Sequence, residues 1–477
     1  MKRSISTLAT MTVAGLVMAG VPALSASAAV KPGQSCKKLG DVKDGLTCVA
    51  KGKKRVYGAA ATVTAAPTTV AGATPAASAA PATGLTNVPG FDGKTITIGY
   101  LGNVSVNTQF PASASFADGG KALTAGYNAY ISRVNEAGGI AGKYRVKVDF
   151  KETYYTPSEA TKAYAEQKNS VVMIGQIYGT PQTQALEKSL QDDGLVGSPI
   201  SLDAAWVNSP NYLPVGGTYQ QEAINLVDWY TKEGGGAGKT VCSLALANNA
   251  YGNAGENGFD IVSKAGLNFK VGIKIKTSTA AAQAQQLKDG KCDAVVITIS
   301  GEAQTPPLLS ETAKIDYFPT FLALGPSFAT RSVVPANSAQ FAKQVIVATD
   351  GSQWGDEKVP GMKALITDLK KYAPEYIGNP NPAATWGYTQ AQDVVALLER
   401  AVANGDLSHA GIKKALYTLG KTNHGGLYPD WTYTDAAARV APSYVNLSKV
   451  DISVPGGLDV FKQAYDAPAS KAFKPGT

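Results

Sequence analysis

The chain has 477 residues, a formal net charge of +8 and a hydrophobic content of 44%. Such a length accommodates a leader and two globular domains. Of this net charge, +2 comes from the first three residues and +6 from residues 31–57, which leaves residues 58–477 balanced. A nucleic-acid-binding domain needs a basic face, so the large balanced part of the chain argues against nucleic acid as a partner.

Residues 1–30 have the composition of an export signal. The basic pair Lys2-Arg3 precedes an apolar stretch at residues 9–24, and small residues follow up to Ala29. The apolar stretch is too short to span a membrane in the mature protein. Because Cys36 does not directly follow it, we expect cleavage near Ala29 and a secreted or surface-associated protein without a lipid anchor.

Residues 31–57 form a small basic segment that contains Cys36 and Cys48. A core this small needs a covalent link, so the sequence predicts a hairpin closed by a disulfide between these cysteines. The segment resembles short cysteine repeats of some actinobacterial surface proteins. Its positive charge is compatible with contact to an anionic cell wall. It is equally compatible with a solvated tail that has no binding role. Residues 58–88 are rich in Ala, Thr and Pro without a charged residue, which predicts an extended linker.

From residue 94 onward, strand patterns alternate with amphipathic helix patterns. The first set predicts strands at 96–101, 146–150 and 171–175 and helices at 120–136, 158–167 and 180–192. The second set predicts strands at 241–247, 271–276, 294–299 and 321–324. This alternation predicts parallel sheets covered by helices, and two successive sets predict two α/β lobes. Cys242 and Cys292 fall in the second set, and the sequence leaves open whether they are bonded.

Four segments of the globular part match one family. They are Asn135-Glu136-Ala137-Gly138-Gly139-Ile140-Ala141-Gly142, Pro157-Ser158-Glu159-Ala160, Ala250-Tyr251-Gly252 and Gly387-Tyr388-Thr389-Gln390-Ala391. Their order and spacing resemble the type I periplasmic solute-binding proteins of ABC transporters, with the branched-chain amino acid receptors as close relatives. The resemblance covers about residues 94–451.

The resemblance implies two Rossmann-like lobes with parallel sheets, joined by three crossings near Gly216, Thr349 and Gly425. Lobe 1 would then comprise residues 94–216 and 350–425, and lobe 2 residues 217–349 and 426–465. It also implies a monomer without metal or cofactor that captures a small polar ligand (an amino acid, an amide or an organic acid). The partners would be the permease subunits of an ABC importer in the membrane.

A ligand site is expected where strand-end loops of both lobes meet. Thr180-Pro181 is a favourable helix start, and free backbone N–H groups at such a helix tip favour an anion. In the family this helix tip and the loop at Ser201 hold the ligand carboxylate, and a tyrosine matching Tyr251 stacks on the ligand. The full set of predicted contacts is Tyr178, Gly179, Thr180, Ser201, Asp203, Ala204, Tyr251, Glu302, Gln304 and Gly325.

Two departures from the family pattern bear on the ligand. Asp203 would repel a neighbouring carboxylate, unless the ligand carries an amine or hydroxyl there or the side chain turns away. Amino-acid-binding relatives usually place a carboxylate where this chain has Leu324 and Gly325, and Glu302 or Asp203 would have to replace it. A neutral amide, a hydroxy acid or an aromatic acid therefore fits as well as an α-amino acid.

The sequence favours binding over catalysis. It contains no Gly-x-Ser-x-Gly, His-Glu-x-x-His or phosphate-loop motif, and its only histidines are His409 and His424. Glycoside hydrolysis needs only two carboxylates, so a wall-associated glycan hydrolase using Asp203 and Glu302 is the enzyme alternative. A surface receptor or adhesin domain that binds a polymer without closing is the third hypothesis.

Overall fold

The computed structural model describes residues 31, 34–37, 42–43, 46–51, 54–59, 85–378 and 380–475. The chain divides into two compact units, Met1–Ala71 and Gly72–Thr477. The expected export signal, most of the expected linker and the side chain of Cys48 lie outside the described residues, so these expectations stay predictions. Cys36 is disulfide-bonded.

The described part of the first unit is a small antiparallel sheet. Its strands are β1 (Val42–Lys43), β2 (Leu46–Lys51) and β3 (Lys54–Ala59), in the order β1-β2-β3. In β1 and β2, Val42 pairs with Thr47 and Lys43 pairs with Leu46. The third strand, which the sequence analysis did not distinguish, extends the predicted hairpin to Ala59.

The second unit alternates strands and helices. Its strands are β4 (Thr95–Gly102), β5 (Arg145–Glu152), β6 (Ile174–Tyr178), β7 (Gly197–Ile200), β8 (Thr240–Ala245), β9 (Lys270–Lys276), β10 (Ala294–Thr298), β11 (Thr320–Ala323), β12 (Val345–Thr349), β13 (Gly420–Lys421), β14 (Thr432–Tyr433), β15 (Val445–Val450) and β16 (Leu458–Tyr465). Its helices are α1 (Ala117–Glu136), α2 (Pro157–Gln167), α3 (Thr180–Asp193), α4 (Tyr219–Lys232), α5 (Ala250–Ser263), α6 (Ala280–Asp289), α7 (Thr305–Lys314), α8 (Pro335–Gln344), α9 (Pro360–Tyr372), α10 (Glu375–Gly378), α11 (Ala383–Ala403), α12 (His409–Tyr417) and α13 (Pro468–Ala472). Among the described helices, none is long and apolar enough to cross a membrane.

The first sheet has the order β5-β4-β6-β7, and its strands are all parallel. Alternating Thr and Ile residues favour an extended β4, and Ile96 and Ile98 are fully buried. The sequence places the third strand three residues too early. Residues 171–173 are fully buried beside β4, and the N–H of Val172 bonds to the carbonyl of Thr97, but the regular ladder begins at Ile174.

The second sheet has the order β16-β15-β12-β11-β10-β8-β9. Its five strands from β8 to β12 are parallel, which confirms the predicted α/β class. At one edge the sheet also carries two antiparallel strands, β15 and β16, which the sequence analysis did not distinguish. A short turn with Gly456 and Gly457 at positive φ joins these two strands, and a connection this short can only form a hairpin.

The chain passes between the sheets three times, as the fold class requires: after β7, after β12 and before β15. The second passage brings α9 and α11 onto α1, over the first sheet. Close approach of α1 and α11 depends on two glycines. A Cβ added at Gly126 would lie 2.0 Å from the carbonyl oxygen of Ala384, and one at Gly387 would lie 1.9 Å from that of Leu123. The exact lobe boundaries stay a prediction.

The Asn-x-x-Gly-Gly segment has a clear structural role at the end of α1. The side chain of Asn135 bonds both the N–H and the carbonyl of Val146 on β5, at 2.7 and 2.8 Å. Gly138 and Gly139 have φ of +106° and +83°, which ends the helix and turns the chain. At Gly139 a Cβ would lie 2.1 Å from the carbonyl oxygen of Tyr144. The segment thus ties α1 to the strand that follows it.

The second cysteine pair, left open by the sequence, is bonded. A disulfide joins Cys242 on β8 to Cys292, two residues before β10, and their Cα atoms are 5.7 Å apart. Both cysteines are buried in the core of the second sheet. The bond holds the turn before β10 against the neighbouring strand β8.

Candidate functional site

A cleft with a volume of about 1110 Å³, including open space at its mouth, lies between the two sheets. The end of β6 and the start of α3 contribute Tyr178 and Gly179 from the side of the first sheet. The second sheet contributes Glu302 after β10 and Gly325 after β11, and Tyr251 comes from α5. The carboxyl ends of parallel strands from both sheets therefore meet over one space, as ligand sites of such sheets do.

Of the ten predicted contacts, five line this cleft. They are Tyr178, Gly179, Tyr251, Glu302 and Gly325. Gly179 has φ of +90°, and a Cβ there would lie 2.3 Å from the ring of Tyr155. Only glycine fits between α3 and this ring. That these residues touch a ligand remains a prediction.

The other five predicted residues lie close by but are not among the cleft-lining residues. Thr180 Oγ1 and Ser201 Oγ are 2.8 Å apart, and the indole N–H of Trp206 donates to Ser201 Oγ. Both hydroxyl side chains are buried, so they join α3 to the loop after β7 behind the cleft wall.

Asp203, Ala204 and Gln304 also have local partners. The carboxylate of Asp203 accepts hydrogen bonds from the Gln220 amide and from the N–H of Ala205, and burial raises its pKa. The N–H of Ala204 donates to the side-chain oxygen of Gln220. The side-chain oxygen of Gln304 accepts from the N–H of Ser300. Asp203 is thus turned toward α4, which was one of the two arrangements expected for it.

The cleft wall is rich in aromatic rings. Eight of its residues are aromatic: Phe116, Tyr155, Tyr178, Tyr219, Tyr251, Phe328, Trp354 and Trp386. The Phe116 and Tyr155 ring centroids are 4.7 Å apart, and those of Tyr219 and Tyr251 are also 4.7 Å apart with an edge-to-face geometry. Such ring pairs stabilise each other, so the wall is a packed aromatic surface.

The hydroxyl groups of two of these tyrosines are bonded to the protein. Tyr178 donates to the carbonyl of Phe116 at 2.8 Å. The hydroxyl of Tyr251 lies 2.8 Å from Ser327 Oγ, which itself donates to the carbonyl of Ile297, so Tyr251 is the donor in this pair. Burial raises the pKa of both tyrosines. Both side chains therefore present rings to the cleft, with their hydroxyls already satisfied.

Glu302 links the two sides of the cleft. Its carboxylate accepts hydrogen bonds from the N–H groups of Asp118 at 3.2 Å and Gly119 at 2.8 Å, at the start of α1. Burial raises the pKa of Glu302 to about 7, against the lowering effect of these two N–H donors. Nearby, Arg331 forms an ion pair with Asp118, and Ser300 Oγ donates to the carbonyl of Ser115. These contacts close one rim of the cleft.

A second acidic group lies behind the cleft floor. Glu222 on α4 is 1% exposed, and its carboxylate accepts from the N–H of Gly325 at 2.9 Å. Burial, and then the neighbouring charge of Asp350, raise the pKa of Glu222 well above its usual range. Asp350 accepts from the N–H of Gly217 at 2.6 Å, and burial raises its pKa to about 6. Gly217 follows β7 and Asp350 follows β12, so this hydrogen bond links two of the segments that cross between the sheets.

The sequence analysis missed most of the aromatic wall and both buried acids. Trp354 and Trp386 lie beyond β12, in the segment that returns to the first sheet, and nothing local marks them as cleft residues. Glu222 occupies a helix whose other buried positions are largely apolar or amide side chains, and a charged residue on such a helix is ordinarily exposed.

Two parallel-rich sheets whose strand-end loops line one cleft define the class of two-lobed α/β binding proteins. A family model described as periplasmic binding protein matches residues 95–451. The chain therefore belongs to the periplasmic binding protein family, which confirms the resemblance drawn from the sequence. A search of curated proteins gave no significant match.

Solved structures of ABC transporter binding proteins share the fold. A fatty acid ABC transporter substrate-binding protein from Thermomonospora curvata is 22% identical with a TM-score of 0.74, covering 82% of this chain and 97% of that one. A branched-chain amino acid ABC transporter protein from Thermus thermophilus with bound valine is 13% identical, with a TM-score of 0.67 and coverage of 80% and 98%. A solute-binding protein from R. palustris in complex with 4-hydroxybenzoate is 17% identical, with a TM-score of 0.64 and coverage of 79% and 98%.

Proposed function

We propose that this protein is an exported solute-binding protein that closes on a small organic molecule and delivers it to an ABC importer in the membrane. One observation carries the proposal: residues of both sheets, Tyr178 and Gly179 on one side and Tyr251, Glu302 and Gly325 on the other, line a single cleft. A ligand held by both sides favours the closed arrangement of a hinged protein. The three solved structures described above are of ABC transporter proteins, which supports a role in solute binding for an ABC importer.

The ligand is proposed to bind without being transformed. The enzyme alternative required Asp203 and Glu302 to face each other across the cleft. Asp203 is held by Gln220 and Ala205 and does not line the cleft, whereas Glu302 does. Nothing in this arrangement favours paired-carboxylate hydrolysis. If a Glu302→Gln variant lost turnover of a wall glycan that the wild-type protein degrades, the enzyme alternative would have to be restored.

Small-angle X-ray scattering tests the binding proposal. Protein purified from its own host is denatured, and the released small molecules are identified by mass spectrometry. The refolded, ligand-free protein is then titrated with each candidate. We expect one candidate to bind and to decrease the radius of gyration. A bound solute that leaves the radius of gyration unchanged would contradict closure and favour the receptor or adhesin alternative.

A further inference from the structure

We propose that the cleft takes a ring-bearing, largely apolar ligand and rejects small zwitterionic amino acids. This inference rests on the proposed function, and it concerns only the chemical class of the solute. The sequence suggested a small polar ligand, with a neutral amide, a hydroxy acid and an aromatic acid among the alternatives, and the cleft favours a less polar, ring-bearing solute. Two properties of the cleft lead to it: the orientation of its rings and the distribution of its charges.

The rings offer an apolar surface from several directions. Tyr178 and Tyr251 direct their hydroxyls into the protein, as their bonds to Phe116 and Ser327 show. Trp386 comes from α11, which packs on α1 over the first sheet, and its ring lies next to Gly325, which follows β11 of the second sheet. Flat π-systems placed in this way contact a ring or a long apolar chain over a large area. A small polar molecule would leave most of that surface without a partner.

The charges of the cleft do not match a zwitterion. Among the described residues that line it, Glu302 is the only Asp, Glu, Lys, Arg or His. Its carboxylate is already engaged by the N–H groups of Asp118 and Gly119. Glu222 is buried behind Gly325 and bonds its N–H. Among the described lining residues, Glu302 is the one carboxylate that an ammonium group could meet, and it is shared with two N–H donors, so the lost hydration of an α-amino acid is only partly compensated.

Isothermal titration calorimetry with three probes tests the ligand class. The probes are 2-naphthylethanol, 3-(2-naphthyl)-L-alanine, which adds the zwitterion to the same ring, and L-leucine, which has the zwitterion without the ring. We expect the alcohol to bind at least about tenfold more tightly than naphthylalanine, and leucine to bind most weakly. Binding of leucine or naphthylalanine as tight as that of the alcohol, or no binding of the alcohol, overturns the inference.

A matched pair of tryptophan variants locates the interaction. Trp386→Leu should weaken binding of 2-naphthylethanol by about tenfold, because it removes a ring from the cleft wall. Trp229→Leu is the control, since Trp229 is similarly half-buried but packs on Phe461 outside the cleft lining. Equal effects of the two variants would overturn the assignment of the probe to the cleft.

Scattering with each probe separates this inference from the proposed function. If leucine binds and compacts the protein, the ligand class is wrong and solute capture stands. If 2-naphthylethanol binds through Trp386 but leaves the radius of gyration unchanged, the ligand class stands and closure for transport is contradicted.

Discussion

The backbone N–H of Gly119, at the start of α1, donates a 2.8 Å hydrogen bond to the carboxylate of Glu302, in the loop after β10. One residue belongs to the helix that covers the first sheet, and the other follows a strand of the second sheet. The helix amino terminus carries a partial positive charge that favours the ionised carboxylate, whereas burial opposes it. This contact spans the cleft, so it forms only when the two sides are together.

Ligand affinity should depend on pH through Glu302. Burial raises the pKa of Glu302 from 4.5 to about 7 in the closed arrangement, and opening would expose it. The closed form therefore binds the proton of Glu302 more tightly than the open form does. The free energy by which this proton favours the closed form is present at low pH and is lost as the pH rises through about 7. Calorimetry with the neutral probe 2-naphthylethanol should show affinity falling by at least about threefold between pH 5 and pH 8.

Glu302→Gln is the matched control for this titration. The amide keeps the size of the side chain and an acceptor oxygen for the α1 N–H groups but cannot ionise. Affinity of the variant should be nearly constant over the same pH range. An equally steep pH dependence in the variant would assign the titration to another group.

The disulfide between Cys242 and Cys292 should stabilise the second sheet strongly. The two cysteines are separated by 50 positions, and closing a loop of that length restricts the unfolded chain by about 4 kcal/mol in the chain-entropy model. We expect the Cys242→Ser, Cys292→Ser double variant to lose about 2–4 kcal/mol of unfolding free energy in urea titrations. A loss well below 1 kcal/mol would mean that the bond constrains little.

The glycines between α1 and α11 should be intolerant of any side chain. Gly126→Ala and Gly387→Ala would place a methyl group within 2.0 and 1.9 Å of a facing carbonyl oxygen. Each variant should lose about 3 kcal/mol or more of unfolding free energy, because the helices must move apart. Gly378→Ala is the control, since no atom within 4 Å meets its added Cβ, and its stability should be unchanged. Equal tolerance at all three positions would contradict the helix contact.

His424 should make the stability of the folded protein depend on pH. Its ring Nε2 lies 2.9 Å from the carboxylate of Asp393, and both groups are buried. Burial lowers the pKa of His424, but the Asp393 carboxylate outweighs it, and the net shift is upward. The pair therefore stabilises the folded protein fully below about pH 6.5 and loses this contribution as the pH rises through the folded pKa.

Urea unfolding between pH 6 and pH 9 measures this contribution. The wild-type protein should lose stability over that range, and His424→Gln should flatten the curve while costing about 3 kcal/mol at pH 6. A variant as pH-dependent as the wild type would show that His424 is not the group that titrates.

Local periodicity was sufficient to predict most of the fold. The alternating Ile and Thr of β4 and the helical spacing of apolar residues in α1 show which face of each element is buried. Both patterns can be read from the local sequence alone. The sequence analysis missed the addition of β15 and β16 to the second sheet. This addition depends on the pairing of β15 with β12, whose residues are about one hundred positions apart in the chain, and the local sequence pattern does not indicate such a pairing.

The candidate site was predictable only in part for the same reason. Tyr178 and Gly179 follow a predicted strand, so the general rule for parallel sheets finds them. Trp386 reaches the cleft because α11 packs against α1, a contact made through Gly126 and Gly387. Asp203, in contrast, satisfies its carboxylate locally with Gln220, which its sequence position does not reveal.

The most direct test of solute capture is a distance between the two sides of the cleft. Spin labels at Lys121 on α1 and Ala336 on α8, both exposed, report it in double electron–electron resonance experiments. With the solute retained from the native host we predict one short, narrow distance distribution, which shifts to longer distances when the solute is removed. Identical distributions with and without bound solute would contradict closure around a shared ligand.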